Sequence, residues 1–284
     1  MLHFVSFGSG SSGNCSMLYT DTEALVIDAG VGVRTLKKHL KNYGLSLFSA
    51  LGILVTHDHA DHVRSVGCLS HDYNLPVYST HGVHEGIGKN WSVRKKISPD
   101  LKRIITKDTP FQVGSFTITP FGIPHDSTDC VGFKVKYGDV TFVLMTDIGH
   151  ITDSMKPYIA SAKYLVIEAD YEQQMLETGP YPQHLKDRIA GPYGHQSNTE
   201  CAKAIIDYAT PSLKHVWLCH LSDENNHPDL AEKQVKQILR EHGIVAGVSI
   251  MVLTISSRLS PIVPSKSNIY KSVIFDNLVF YIRL

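Results

Sequence analysis

Between Thr56 and His62 the chain places three imidazoles and two carboxylates, His57, Asp58, His59, Asp61 and His62. They come directly after the apolar run Leu51-Gly52-Ile53-Leu54-Val55. That run is short and β-branched at two positions, and polar residues follow it, so it predicts a buried strand. The ligand-rich stretch is then a loop at a strand end, where side chains from several loops can converge. Neutral imidazole and carboxylate suit zinc and manganese equally. One ion takes about four such groups, so this density implies part of a two-metal site. The plain alternative is a polar loop facing solvent, but H-x-H-x-D-H straight after a buried strand favours metal binding.

The rest of the chain can supply a core for such a site. Its 284 residues are 43% hydrophobic, enough for one large domain with or without a tail. Lys+Arg and Asp+Glu balance at 27 each, so the chain is no general polyanion binder and any nucleic-acid contact must be a local patch. Five dispersed cysteines, Cys15, Cys68, Cys130, Cys201 and Cys219, show no C-x-x-C pairing. That argues for a reducing compartment, with four of the cysteines serving as small buried hydrophobes. Neither a secretory leader pattern nor an apolar run approaching 18 residues is present, so the expectation is a cytoplasmic protein without membrane contact.

In chain order, residues 2–7 read as a first strand, followed by the loop GSGSSGN at 8–14. Having no bulky side chain, this loop, with Ser12 and Asn14, could approach an anion closely; a tight connection to a strand at 16–20 is the other reading. Ala24–Ile27 is a strand ending at Asp28, placed to hold a metal-ligating His from behind. Val33, Leu36 and Leu40 mark an amphipathic helix. Residues 62–73 and 80–91 predict two further helices, with a short strand at 77–78 between them. His81, His84 and Glu85 are expected on a solvated face. Arg94, Lys95 and Lys96, with Lys102 and Arg103 and near Trp91, form the basic cluster. It is either an ordinary charged surface or a contact with nucleic-acid backbone, with Trp91 stacking on a base.

Residues 104–145 alternate and are punctuated by Gly and Pro, predicting successive antiparallel strands. They deliver His125, next to Asp126, and Asp147 after strands. The second half repeats the strand and helix alternation. A strand at 164–167 runs into Glu168, His195 precedes a helix capped by Ser197 or Asn198, and His215–Cys219 delivers His220. Asn225 and Asn226 precede a helix beginning near Pro228; they are expected either to cap it or, for Asn225, to meet substrate. Pro261 and Pro264 read as a linker, and residues 269–284 are apolar and β-rich. The expected organisation is a hydrolase domain at 1–260 and a tail of unknown role at 261–284.

His57, His59, Asp61, His62, His125, Asp147 and His220 all fall at or just beyond predicted strand ends, the edge where α/β folds build sites. In this order they resemble the metallo-β-lactamase superfamily over residues 1–255. The resemblance implies an α/β fold, an αββα sandwich of two mixed sheets flanked by helices. It implies that His57, His59 and His125 hold one metal ion, Asp61, His62 and His220 a second, and that Asp147 bridges them. The segments at 8–14, 179–189 (GPYPQHLKDRI), 194–198 (GHQSN) and 220–228 (HLSDENNHP) are similar to the WalJ/YycJ group. That similarity implies a metal-dependent nuclease acting 5′ to 3′ on DNA ends. Nothing carries over to the tail.

The expected activity is therefore phosphodiester hydrolysis with two divalent ions, Zn²⁺ or Mn²⁺, which activate a shared bridging water as hydroxide. A small cyclic phosphodiesterase is the alternative, and a glyoxalase II-type thioester hydrolase comes third. Asp61 is expected to act in catalysis as well as in binding metal. His195, oriented or charged by Glu168, is the candidate general acid; this pairing resembles one in tRNase Z and the cyclic phosphate hydrolases. Helix capping is the other reading of His195. DNA ends are the expected partner, and the oligomeric state is left open.

Overall fold

The computed structural model describes residues 1–247 and 249–254, together with the strands Ser272–Phe275 and Leu278–Tyr281. The linker expected at Pro261 and Pro264 lies outside the described residues.

The chain first lays down an antiparallel meander of β1 (Leu2–Gly8), β2 (Cys15–Tyr19) and β3 (Ala24–Ile27). It crosses through α1 (Val33–Tyr43) to β4 (Ala50–Leu54), which pairs parallel with β3. The short α2 (Ala60–Val63) and α3 (Val66–Tyr73) lead to β5 (Val77–Ser79), and α4 (His81–Lys89) leads to β6 (Lys102–Ile104), both again parallel.

The second sheet repeats this plan. β7 (Phe111–Val113), β8 (Phe116–Gly122), β9 (Val131–Tyr137) and β10 (Val140–Met145) are antiparallel. α5 (Lys156–Ser161) then connects to β11 (Tyr164–Glu168), parallel with β10. α6 (Gln173–Thr178), α7 (Gln183–Ile189) and α8 (Asn198–Tyr208) precede β12 (His215–Cys219). α9 (Pro228–Glu241) precedes β13 (Met251–Thr254). β14 (Ser272–Phe275) and β15 (Leu278–Tyr281) extend the first sheet, with β15 parallel beside β1. Part of the expected tail thus lies at that sheet's edge.

Alternation along each strand explains the layering. Leu2 and Phe4 of β1, Phe142 and Leu144 of β10, and Trp217 and Cys219 of β12 meet between the two sheets. Their neighbours face outward. Val5, Phe7 and Ile53 pack under α1, α3 and α4, while Val143, Val216 and Leu218 pack under α5, α8 and α9. Strands buried on both faces read as unbroken apolar runs, as at residues 164–167, ahead of Glu168. The result is the expected αββα sandwich.

Several local expectations are corrected. The helix expected over 62–73 is split, because Ser65 leaves its axis to donate N–H to Ala29 O (2.8 Å) and its hydroxyl to Val31 O (2.8 Å). Residues 102–104 join the first sheet, so the antiparallel run begins at Phe111. His84 is buried, not solvated, with Nε2 3.2 Å from Arg103 O; burial keeps it below the usual imidazole range. Cys15, Cys130, Cys201 and Cys219 are buried free thiols pushed up by burial, consistent with small hydrophobes.

Candidate metal centre

Three strand ends carry a non-glycine residue in the left-handed region: Asp28 after β3 (φ 60°), Asp147 after β10 (φ 57°) and His220 after β12 (φ 53°). Such backbone costs on the order of 1 kcal/mol or more per residue and persists where surrounding contacts hold it. Asp28 illustrates those contacts. Its carboxylate accepts Thr56 N–H (2.9 Å), the Thr56 hydroxyl (3.0 and 3.1 Å) and His62 Nδ1 (2.9 Å).

The side chains expected to bind metal come together at this edge. Donor atoms of His57, His59 and His125 lie within 4.8 Å of one another, as do those of Asp61, His62 and His220. Asp147 stands between the two groups. Its Oδ1 is 4.0 Å from His57 Nε2, 3.8 Å from His125 Nε2 and 3.3 Å from His220 Nε2, and its Oδ2 is 3.3 Å from His62 Nε2. Burial would raise the Asp147 carboxyl, but the imidazoles of His220, His62, His57 and His125 hold it well below the ordinary carboxylate range.

The far nitrogens of His57, His62 and His125 are hydrogen-bonded from behind, which sets tautomer and ring orientation. His62 Nδ1 meets Asp28, and His125 Nδ1 meets Gly194 O at 3.1 Å. His57 Nδ1 meets Thr56 Oγ1 at 3.1 Å; His220 Nδ1 makes no hydrogen bond, but the carboxylates of Glu168 (3.1 Å) and Asp170 (3.5 Å) lie close to it. The near nitrogens tell the opposite story. His57 Nε2 and His220 Nε2 are buried with no hydrogen-bond partner, which is costly unless something else satisfies them. Converging imidazole and carboxylate donors, backed in this way, fit divalent metal binding.

The loop at 8–14, expected either to cradle an anion or to make a tight connection, braces the centre. Asn14 N–H donates to Asp61 O (2.7 Å), and Ser9 Oγ accepts His220 N–H (2.8 Å). The Asn14 amide also enters the second donor group, with Nδ2 2.8 Å from His62 Nε2 and 3.2 Å from Asp61 Oδ2. Gly30 lets the two loops touch, because a Cβ there would fall 1.5 Å from Asp61 O. Ser12 is exposed, and its carbonyl accepts Arg64 Nη2 at 2.9 Å.

Glu168 and His195 also meet, at 2.8 Å between Oε1 and Nδ1. Glu168 is fully buried, and its Oε2 accepts the N–H groups of Ile148 (2.6 Å) and Gln196 (3.1 Å). Burial alone would lower His195, but the carboxylates of Glu168 and Asp170 push it up to about 9. Its ring stacks on His220, with centroids 5.1 Å apart and 10° between planes. Its side chain keeps 17% exposure, so it reaches the surface beside the donor groups. Ser197, not His195, caps α8, forming a capping box with Glu200.

An open cleft of about 560 Å³ runs beside the centre, lined by Asp58, His59, Asp61, Lys89, Trp91 and Arg188 among others. The expected basic cluster is divided. Lys96 Nζ turns back onto Asn90 O (2.6 Å) and Ile87 O (3.3 Å), Lys95 pairs with Asp72 (3.7 Å), and Arg94 is exposed. Asn225 is fully buried and off the cleft surface, and α9 is capped by His227, not by the asparagines. Asn226 instead donates to Ala169 O (2.9 Å) and Asp170 O (3.0 Å).

Sequence reasoning assigned no supporting role to Asp58, Thr56 or Asp170. Asp58 ties the motif outward: its carboxylate accepts Thr128 N–H (3.2 Å) and hydroxyl (2.7 Å), and its carbonyl accepts Asn90 Nδ2 (2.7 Å). Its place inside H-D-H was the one available signal. No helix among the described residues is long and apolar enough to cross a membrane.

A beta-lactamase superfamily domain model matches residues 24–220. The chain is 34% identical to the exodeoxyribonuclease YycJ of Bacillus anthracis over 250 residues, covering 87% of this chain and 92% of that one. It is 31% identical to the exodeoxyribonuclease WalJ of Streptococcus pneumoniae, covering 86% and 90%. The metallo-beta-lactamase fold protein YhfI of Bacillus subtilis superposes with a TM-score of 0.67 at 19% identity, covering 89% of this chain and 96% of that one. Sequence, fold and donor set agree: this chain is a metal-dependent hydrolase and belongs to the metallo-β-lactamase superfamily, in its WalJ/YycJ group.

Proposed function

We propose that this chain is an exodeoxyribonuclease that shortens DNA from its ends in the 5′ to 3′ direction, using two divalent ions. The observation that carries the reading is Asp147, within 4.0 Å of ring nitrogens from both donor groups. His57, His59 and His125 would hold one ion, Asp61, His62 and His220 the other, with Asp147 shared. Bound there, two divalent cations acidify water and neutralise charge on the phosphoryl oxygens. Asp28, Thr56, Glu168 and Gly194 keep the imidazoles aimed inward. Glu168 holds His195 through Nδ1, which leaves Nε2 to protonate the departing sugar oxygen. The names of the relatives support DNA as substrate, and the openness of the cleft supports a polymer over an enclosed small molecule.

The test is incubation of zinc- or manganese-loaded protein with duplex DNA labelled at the 5′ or the 3′ end, beside cyclic and linear small phosphodiesters. Early release of the 5′ label as mononucleotide, with the 3′ label persisting on shortening strands, is the expected result. Early release of the 3′ label reverses the polarity. Turnover confined to small phosphodiesters or thioesters overturns the assignment.

A further inference from the structure

Trp91 is 90% exposed, an unusual setting for so large an apolar surface. Its flanks are nevertheless pinned. Asn90 Nδ2 donates to Asp58 O (2.7 Å), Asn90 Oδ1 accepts Ser92 N–H (2.9 Å) and hydroxyl (2.7 Å), and Asn90 O accepts Lys96 Nζ (2.6 Å). The segment is thus bonded to the backbone of Asp58, between the donors His57 and His59. Lys89 and Arg188 line the same cleft, and Arg188 is held as a fork by Asp126, with Nε–Oδ2 2.5 Å and Nη2–Oδ1 3.1 Å. The carboxylates lining it are engaged: Asp58 with Thr128, and Asp61 in the donor group.

We propose that Trp91 is a stacking platform for an unpaired base, with Lys89 and Arg188 meeting the flanking phosphates. DNA then reaches the centre as a single strand frayed from the duplex end. An indole held in water offers a π-face to any base, and stacking is sequence-tolerant, as an exonuclease requires. Paired bases inside a duplex have no free face to give it. Preformed presentation matters because the loop needs no ordering when the strand arrives. The proposal rests on the nuclease reading and adds the form in which the substrate binds.

The experiment titrates metal-loaded protein with phosphorothioate-linked oligothymidylate and with an abasic oligomer of equal length, following tryptophan emission. Trp217, the other tryptophan, is buried between the sheets, so quenching reports Trp91. Oligothymidylate should quench the emission and the abasic oligomer should not. Trp91→Ala should weaken oligothymidylate binding by about 5- to 100-fold and leave abasic binding unchanged. Trp91→Phe should fall between wild type and Trp91→Ala. Equal affinity for both oligomers, or an unquenched indole at saturation, overturns the proposal. The nuclease reading fails separately, if wild-type protein that binds and quenches leaves DNA uncut.

Discussion

Oδ2 of Asp28 lies 2.9 Å from Nδ1 of His62, and both residues are buried. The contact joins the end of β3 to the metal-binding loop after β4 and fixes which His62 nitrogen faces the centre. The carboxylates of Asp147, Asp28 and Asp61 push His62 up to about 9 against the lowering effect of burial.

Asp28→Asn should therefore weaken metal binding by about 10- to 100-fold, the usual effect of losing a partner behind a ligand. An amide oxygen can still accept Thr56 N–H, so the fold should survive. Competition against a chelator measures the affinity, and an unchanged value would show that Asp28 matters only to the fold.

Two equivalents of divalent ion should be found per chain by elemental analysis. Asp147→Ala should lose metal and nearly all turnover, because Asp147 lies within 4.0 Å of ring nitrogens from both donor groups. Asp126→Ala should keep its metal, since Arg188 holds that carboxylate. One equivalent in wild type, or equal metal loss in both variants, would contradict the assignment of Asp147.

Gly30→Ala should destabilise the protein by about 1–3 kcal/mol, as forced overpacking does, and weaken metal binding with it. The added methyl would collide with Asp61 O and must push α2 away. Gly32→Ala is the control, because a Cβ there meets nothing within 4 Å. Equal melting temperatures for the two variants would show that the loop yields freely.

What could be read from the sequence follows the range of the interactions. The convergence of the seven side chains was legible because each sits at the end of a local apolar run, and strand ends gather at one edge. Asp28 was legible for the same reason. The bracing role of Ser9 was not, since it depends on the ends of β1 and β12 meeting across the two sheets, 211 residues apart in sequence, and that of Asn14 depends on Asp61, 47 residues away. His84 was misread because its helix periodicity gives no hint that β6 covers it. Lys95 and Lys96 looked like free cations until Asp72 and the end of α4 were placed beside them.

That rearrangement of charge changes the expected salt dependence. With about 0.7 to 0.9 units of slope per phosphate contact, replacing Lys89 should flatten the slope of DNA binding by about 0.8, and replacing Arg188, already forked onto Asp126, should add less than that. Replacing Arg94, Lys95 and Lys96 should remove about one unit at most, because two of them are already engaged. A larger loss from the triple variant would move the DNA track away from the cleft and onto that surface.

The last prediction concerns the proton. A sugar alkoxide is a strongly basic leaving group, and general acid help is typically worth about 10² to 10⁴-fold. His195 is placed to give it, with Nδ1 on Glu168 and its ring against His220. A nitrophenolate leaves unaided, so it needs no such donor. His195→Ala should slow DNA cleavage by at least about 10²-fold while scarcely changing turnover of a nitrophenyl phosphodiester, with metal content full. His195→Gln keeps a hydrogen bond to Glu168 but carries no transferable proton, and should behave as the alanine variant does. If both substrates slow equally with metals intact, His195 positions substrate, and the proton comes from another group.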